Sequence, residues 1–161
     1  MYRIIRTEDY YPLAVLFDVN GLHADPDEGR DEDSIALWRC ELTVDEQGNE
    51  TDEGRGVLIG GAELCFKAGV YVLQHIAVYD EFKGQGYGAE LLRTVEDEVR
   101  SLLGESGNSD REMWLCAKVP EFYKKYAWSE VSRQEAPDFT SCFECEDFGI
   151  TCKPSIMKKQ M

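Results

Sequence analysis

The hexad Lys83-Gly84-Gln85-Gly86-Tyr87-Gly88 sets three glycines at alternate positions, and the helix formers Ala89-Glu90-Leu91-Leu92 follow directly. The first N–H groups of a helix have no intrahelical partner. The helix dipole adds partial positive charge there. Glycine removes the Cβ that would hold an anion away from the backbone. The spacing therefore predicts a phosphate cradle, in which each charge-assisted bond contributes about 1.5–3 kcal/mol. Lys83 adds a cation beside it. The common phosphate loops do not fit. A P-loop carries Lys and then Ser or Thr after its last glycine, but Ala89 and Glu90 follow Gly88. The dinucleotide and kinase loops need G-x-G-x-x-G, and these glycines read G-x-G-x-G.

The six cysteines are Cys40, Cys65, Cys116, Cys142, Cys145 and Cys152. Cys142-x-x-Cys145 with Cys152 offers three local thiols, whereas a structural zinc site takes four ligands. A fourth ligand from elsewhere in the fold would complete a site. The alternative is reduced thiols in a hairpin near the chain end, and no metal is expected. A cysteine nucleophile wants a histidine partner, and nothing in the sequence places one. The opening "MYRIIR" lacks the apolar stretch of a signal peptide, so free thiols and a cytoplasmic location are expected.

Elements must position these residues. Residues 9–22 read as a helix with Leu13, Leu16 and Phe17 on one face. A polar loop follows, then strands over 35–44 and 57–66 that form a hairpin with a long turn. Residues 69–79 are a largely apolar strand, which predicts a central position. A helix runs from about Gly86 to Leu103, with Leu91, Leu92, Val95, Val99, Leu102 and Leu103 as its apolar stripe and Gly104 as its stop. Residues 104–110 read as a loop, 112–119 as a strand, and 120–127 as a short helix with Pro120 in its first turn. Strands around residues 128–133 and 150–159 close the chain.

The segment "HIAVYDEFKGQGYGAELL" resembles motif A of the GNAT superfamily of N-acetyltransferases, in which a strand leads through [RQ]-x-x-G-x-[GA] into a helix. Lys83 stands where Arg or Gln is usual and keeps the cation. "EFYKKYAWSEV" is similar to the family's FY-x-K-x-G-F segment, with Tyr123 on its tyrosine and Ala127-Trp128 on its Gly-Phe. The resemblance implies an α/β (α+β) single domain over residues 1–161, a mixed, mostly antiparallel sheet flanked by helices. It implies acetyl-CoA as cosubstrate, no acyl-enzyme, and direct attack by an amine in a ternary complex. The backbone of Ile76, Ala77 and Val78 would pair with the pantetheine arm. Lys83, Gly84, Gln85, Gly86, Tyr87, Gly88 and Ala89 would hold the diphosphate, and the backbone N–H near Val78 would hold the oxyanion.

On this resemblance Tyr123 is the expected general acid for the leaving thiolate; the other reading is a core aromatic among Phe122, Tyr126 and Trp128. His75 has an intrinsic pKa suited to accepting a proton near neutrality, and Glu63 on the neighbouring strand could act through water. A satisfied strand histidine is the alternative. A non-catalytic acyl-CoA sensor or interaction module would use the same cradle without turnover.

The 161 residues suit one core, and 43% apolar content excludes a disordered chain. No apolar run reaches the length of a membrane span. The net charge of −15 argues against nucleic acid and anionic membranes as partners. Residues 25–53 hold twelve Asp or Glu and two Arg, a net of −10. Such a segment would attract a cationic small-molecule or peptide amine, and equally serves as a solvated acidic face. Dimers are common in the family, so a homodimer is one candidate assembly.

Overall fold

Apolar alternation along the chain resolves into a seven-stranded sheet of order β1-β2-β3-β4-β5-β7-β6. The computed structural model describes residues 2–106, 111–146, 148–150 and 152–161. In chain order the elements are β1 Tyr2–Arg6, α1 Tyr10–Val19, β2 Ser34–Val44, β3 Arg55–Lys67, β4 Val70–Val78, α2 Tyr87–Ser106, β5 Glu112–Ala117, α3 Pro120–Lys124, β6 Ser129–Val131 and β7 Ser155–Gln160. Strand β4 pairs with β5 in parallel, while β1–β2, β5–β7 and β6–β7 are antiparallel. This is the mixed, mostly antiparallel sheet flanked by helices that the resemblance implies, and β4 is central as its apolar run predicts. Among the described residues no helix is long and apolar enough to cross a membrane.

Packing divides the chain into two compact units, Met1–Leu64 with His75–Asp97 and Cys65–Gln74 with Glu98–Met161. In the first, α1 buries Leu13, Leu16 and Phe17 against Leu37, with Ala77 and Tyr79 of the β4 end packed alongside. Two consecutive glycines of β3 let elements close on both faces of that strand. A Cβ on Gly61 would overlap Leu13 Cδ2 and come within 3.0 Å of Trp38 O. A Cβ on Gly60 would come within 3.0 Å of Ala77 O and 3.1 Å of Leu91 Cδ1 of α2. A glycine pair inside a strand marks such close approach. In the second unit Cys65, Val72, Trp114, Phe139 and Ile156 form the core cluster.

The ends of α1 and α2 depart from expectation. Helix α1 stops at Val19 because Gly21 takes φ +74°, and the Leu22 N–H returns to Phe17 O at 3.0 Å. That is a left-handed glycine cap. Gly104 does not stop α2, which continues to Ser106. Gly107 to Asp110 of the expected loop, and Thr151 of the expected last strand, lie outside the described residues.

Strand β1 is absent from the sequence reading. Its five residues, Tyr-Arg-Ile-Ile-Arg, have no clean alternation, and cross-strand charge supplies the missing specificity. Arg3 stands opposite Glu41 in register. Buried Glu41 accepts from Arg3 Nε at 2.7 Å and pairs with Arg39 Nε at 2.8 Å. A paired buried carboxylate of this kind breaks expensively if one partner is removed.

Candidate functional site

The cradle segment follows β4 without interruption. After Val78 the chain makes a 3₁₀ turn, Asp80–Phe82, whose end is fixed by Lys83 N–H to Asp80 O at 3.2 Å. Gly84 and Gly86 then take φ +79° and +90°. Both values lie in the left-handed region that favours glycine. A Cβ at either would meet nothing within 4 Å, so the space over the backbone is open. Gly88 differs from its two neighbours, because it lies inside α2. The Glu90 N–H is bonded to Gly86 O at 3.1 Å, which leaves the amides of Tyr87, Gly88 and Ala89 ahead of the helical ladder.

Two contacts around this segment were not legible in advance. Lys83 Nζ lies 2.6 Å from Asp80 Oδ1 and donates to Asn20 Oδ1 at 3.2 Å. Asn20 caps α1 and donates its own amide to Leu16 O at 2.8 Å. The cation beside the glycines is thus oriented by a helix cap 63 residues away in sequence. Tyr87 packs its ring edge-on against Tyr2 of β1 at 5.1 Å, tying the start of α2 to the first strand.

His75 and Glu63, separate candidates in the sequence, form one buried pair: His75 Nδ1 lies 2.8 Å from Glu63 Oε1. Glu63 is fully buried and His75 9% exposed. The His75 ring stacks on Phe17 of α1 at 4.8 Å. A carboxylate that accepts from Nδ1–H leaves the Nε2 lone pair free, which is the tautomer a proton acceptor needs. Glu63 Oε2 has no hydrogen-bond partner among the described residues, and a buried lone carboxylate oxygen is costly unless a polar group or water meets it. Ile76 and Val78 alternate with His75 and Ala77 along β4. The Tyr79 N–H is taken by Ile59 O at 2.9 Å, and the β4–β5 register pairs Tyr71 with Met113 and Val72 with Trp114, at the other end of β4 from Val78.

Tyr123 lies in the second unit, on α3. Its half-buried ring packs edge-on against Phe122 at 5.1 Å and Trp128 at 5.9 Å. Burial raises the phenol above its ordinary range, so it stays protonated at neutral pH. The following turn is closed by Trp128 N–H to Tyr123 O at 3.3 Å, with Ala127 at φ +69°.

The cysteines also rearrange the expectation. Interaction with Cys142, followed by burial, pushes the Cys116 thiol of β5 up. Among the described residues no three His, Cys, Asp or Glu side chains form a metal-binding group. Much of the acidic segment does local work. Asp25, Asp31 and Asp45 accept backbone N–H groups two residues on, at 2.9, 2.8 and 2.9 Å. These are Asx turns. A cavity of about 290 Å³ in the second unit, walled by Tyr71, Trp114, Glu112 and Glu135, includes no expected site residue.

Comparison with known proteins agrees with this layout. The sequence model of the Acetyltransferase (GNAT) family matches residues 8–127. No curated relative matches the chain. Similar solved structures include a GNAT-family acetyltransferase from Staphylococcus aureus Mu50, with TM-score 0.64 and 13% identity, covering 99% of each chain. Rv2747 from Mycobacterium tuberculosis, in complex with CoA, has TM-score 0.63 and 16% identity, covering 100% of this chain and 99% of its own. N-acetylglutamate synthase from Neisseria gonorrhoeae, complexed with coenzyme A and L-arginine, has TM-score 0.63 and 17% identity over 99% of this chain. The present chain spans about a third of that enzyme's length, 33%. At these identities the likeness is one of fold.

Proposed function

The chain belongs to the acetyltransferase (GNAT) family, and from that premise we propose that it is an acetyl-CoA-dependent N-acetyltransferase, a single catalytic domain that transfers acetyl to a primary amine by direct attack in a ternary complex. The observation that carries this reading is the open glycine segment at the end of β4, where Gly84 and Gly86 are left-handed and the first α2 amides are free of the helical ladder. CoA in the structures of similar proteins supports the choice of ligand. The diphosphate rests on residues Lys83 to Ala89. The pantetheine arm pairs with the backbone of Ile76, Ala77 and Val78.

Amide formation needs a neutral amine, an oxyanion donor, a proton for the leaving thiolate and held reactants. His75 Nε2 accepts the amine proton, directly or through water, while Glu63 holds Nδ1. The backbone N–H near Val78 receives the oxyanion. As the tetrahedral intermediate collapses, the C–S bond breaks and Tyr123 protonates the sulfur. Solvent then takes the proton from His75 and restores one to Tyr123. The exposed acidic residues of 25–53 attract a cationic small-molecule or peptide amine.

Gly86→Val tests the cradle. A β-branched residue is strained at φ +90° and fills the space a phosphate would use. Calorimetry should show acetyl-CoA binding lost by at least about tenfold, which is about 1.4 kcal/mol. Unchanged affinity in a variant that melts as a folded protein removes the assignment. Release of free CoA with a panel of amines tests turnover; tight binding with no turnover on any amine favours the sensor reading.

A further inference from the structure

The cavity of about 290 Å³ in the second unit takes no part in the acetyl-transfer reading. Trp114 belongs both to its wall and to the core cluster, and the wall residues Val70 and Ala136 pack against that cluster. One side of the cavity is therefore apolar. Register explains the rest. Val72 stands opposite Trp114 in the β4–β5 pairing, so Val70 and Glu112 share the Trp114 face by alternation. Glu135 and Ala136 come from the 3₁₀ turn Arg133–Glu135 and its cap. That turn is fixed by Glu135 N–H to Ser132 O at 3.1 Å and Ala136 N–H to Arg133 O at 3.2 Å. The wall carries two carboxylates, Glu112 and Glu135, and no basic side chain among the described residues. Lys158 Nζ donates to Glu112 Oε1 at 3.4 Å, and Ser132 Oγ donates to Glu135 Oε1 at 3.4 Å. A carboxylate has about four lone-pair sites, so both keep capacity for a further donor. Trp114 supplies the opposite need. It is 3% exposed, and its indole N–H has no hydrogen-bond partner among the described residues. The ring itself is provided for, with Lys158 Nζ over it at 5.7 Å and Phe139 against it at 5.8 Å. The N–H alone is left unmet, and a buried donor without an acceptor is costly.

We propose that this cavity is a second ligand site, for a small primary ammonium compound that carries a neutral oxygen acceptor, such as an amino amide. The ammonium bonds to the carboxylates of Glu112 and Glu135, and the oxygen accepts from Trp114 Nε1–H. The apolar side receives the carbon atoms between them. A neutral oxygen suits the site better than a carboxylate, because two glutamates repel a further anion. Ligand pockets span about 300–1,000 Å³, and this cavity stands at the small end of that range. It therefore selects a molecule of a few heavy atoms. The site shares no residue with the Lys83–Ala89 cradle, and the proposal does not depend on acetyl transfer.

The test titrates glycinamide hydrochloride into the nitrogen-15-labelled full chain without acetyl-CoA, beside a matched sodium chloride series. The readout is the indole N–H resonance of Trp114, one of three tryptophans. Its absence from the spectrum of Trp114→Phe assigns it; if that variant does not fold, triple-resonance assignment of the wild type does so. The resonance should shift saturably, with a Kd of about 1–10 mM. Propylammonium lacks the oxygen and propanamide lacks the cation, so each should bind at least about threefold more weakly. Glu135 is exposed, so Glu135→Gln should leave the core in place and weaken glycinamide at least about threefold. Glu112→Gln should weaken it by a similar factor. A Trp114 resonance that does not move up to about 50 mM glycinamide overturns the proposal. So does a shift that the salt series reproduces, or a Glu112→Gln and Glu135→Gln double variant that binds as tightly as wild type. Equal affinity for propylammonium overturns the stated ligand class.

Discussion

Tyr123 shows how one side chain serves packing and chemistry together. Its ring is held by Phe122 and Trp128, and the burial that holds it also keeps its phenol protonated. Tyr123→Phe keeps the ring, so the melting temperature should stay near wild type while kcat falls about 10²–10⁴-fold. The Kd for acetyl-CoA should change little, because the hydroxyl acts on charge that develops at sulfur. Steady-state rates beside melting curves check this, and a kcat within a few-fold of wild type would leave water as the proton source. Because the phenol is raised, loss of the acid should produce no basic limb in kcat below about pH 10. Glu63 calls for a different readout. Glu63→Gln keeps the shape but replaces the carboxylate at His75 Nδ1 with a neutral amide, which supports a protonated ring less well. The expected result is a fall in kcat/KM of about 10²-fold. A purely structural pair would instead lower the melting temperature and leave kcat/KM of the folded protein near wild type.

At the scale of elements, backbone conformation explains two departures from the usual residue choice. Ala127 occupies the family's glycine position and is left-handed, at φ +69°. The Trp128 N–H to Tyr123 O bond makes it the C′ residue of a helix cap, where glycine is preferred because it has no Cβ. Ala127→Gly should stabilise the protein by about 0.5–1 kcal/mol, since the relief of left-handed strain exceeds the added freedom of the unfolded chain. Differential scanning calorimetry should show a rise of about 1–4 °C; a lower melting temperature would mean that the turn does not hold α3 in place. Ala68 and Gly69, at φ +51° and +78°, have the signs of a type I′ turn between β3 and β4. Because Ala68 is not one of the usual turn residues, the sequence announces this turn only through Gly69.

For the molecule as a whole, charge is the dominant global term. A net charge of −15 on 161 residues opposes compaction. The buried Glu41 pairs and the Asx turns absorb only part of the acidic segment, and many of its carboxylates face solvent. Raising ionic strength from about 10 mM to about 0.15 M shortens the Debye length from about 30 to about 8 Å. The melting temperature should rise by roughly 2–5 °C over that range. A fall would show that surface ion pairs such as Arg30–Glu8 outweigh the repulsion.

Local features belonged to the sequence. The apolar stripe of α2, the central β4 and the glycines before a helix follow from periodicity and from the stereochemistry of glycine, which act over a few residues. The family resemblance singled out Tyr123 by position in a motif. The pairings of distant residues belonged to the tertiary structure. Glu63 meets His75 because β3 and β4 lie side by side, and Asn20 meets Lys83 because α1 ends beside the cradle. Phe139, Phe143 and Cys116 meet in one core although they lie in separate segments of the chain. Strand β1 became visible only through its partner, since Arg3 acquires its role from Glu41 across the sheet. No spacing along a chain encodes such contacts directly; they exist once burial has brought the segments together.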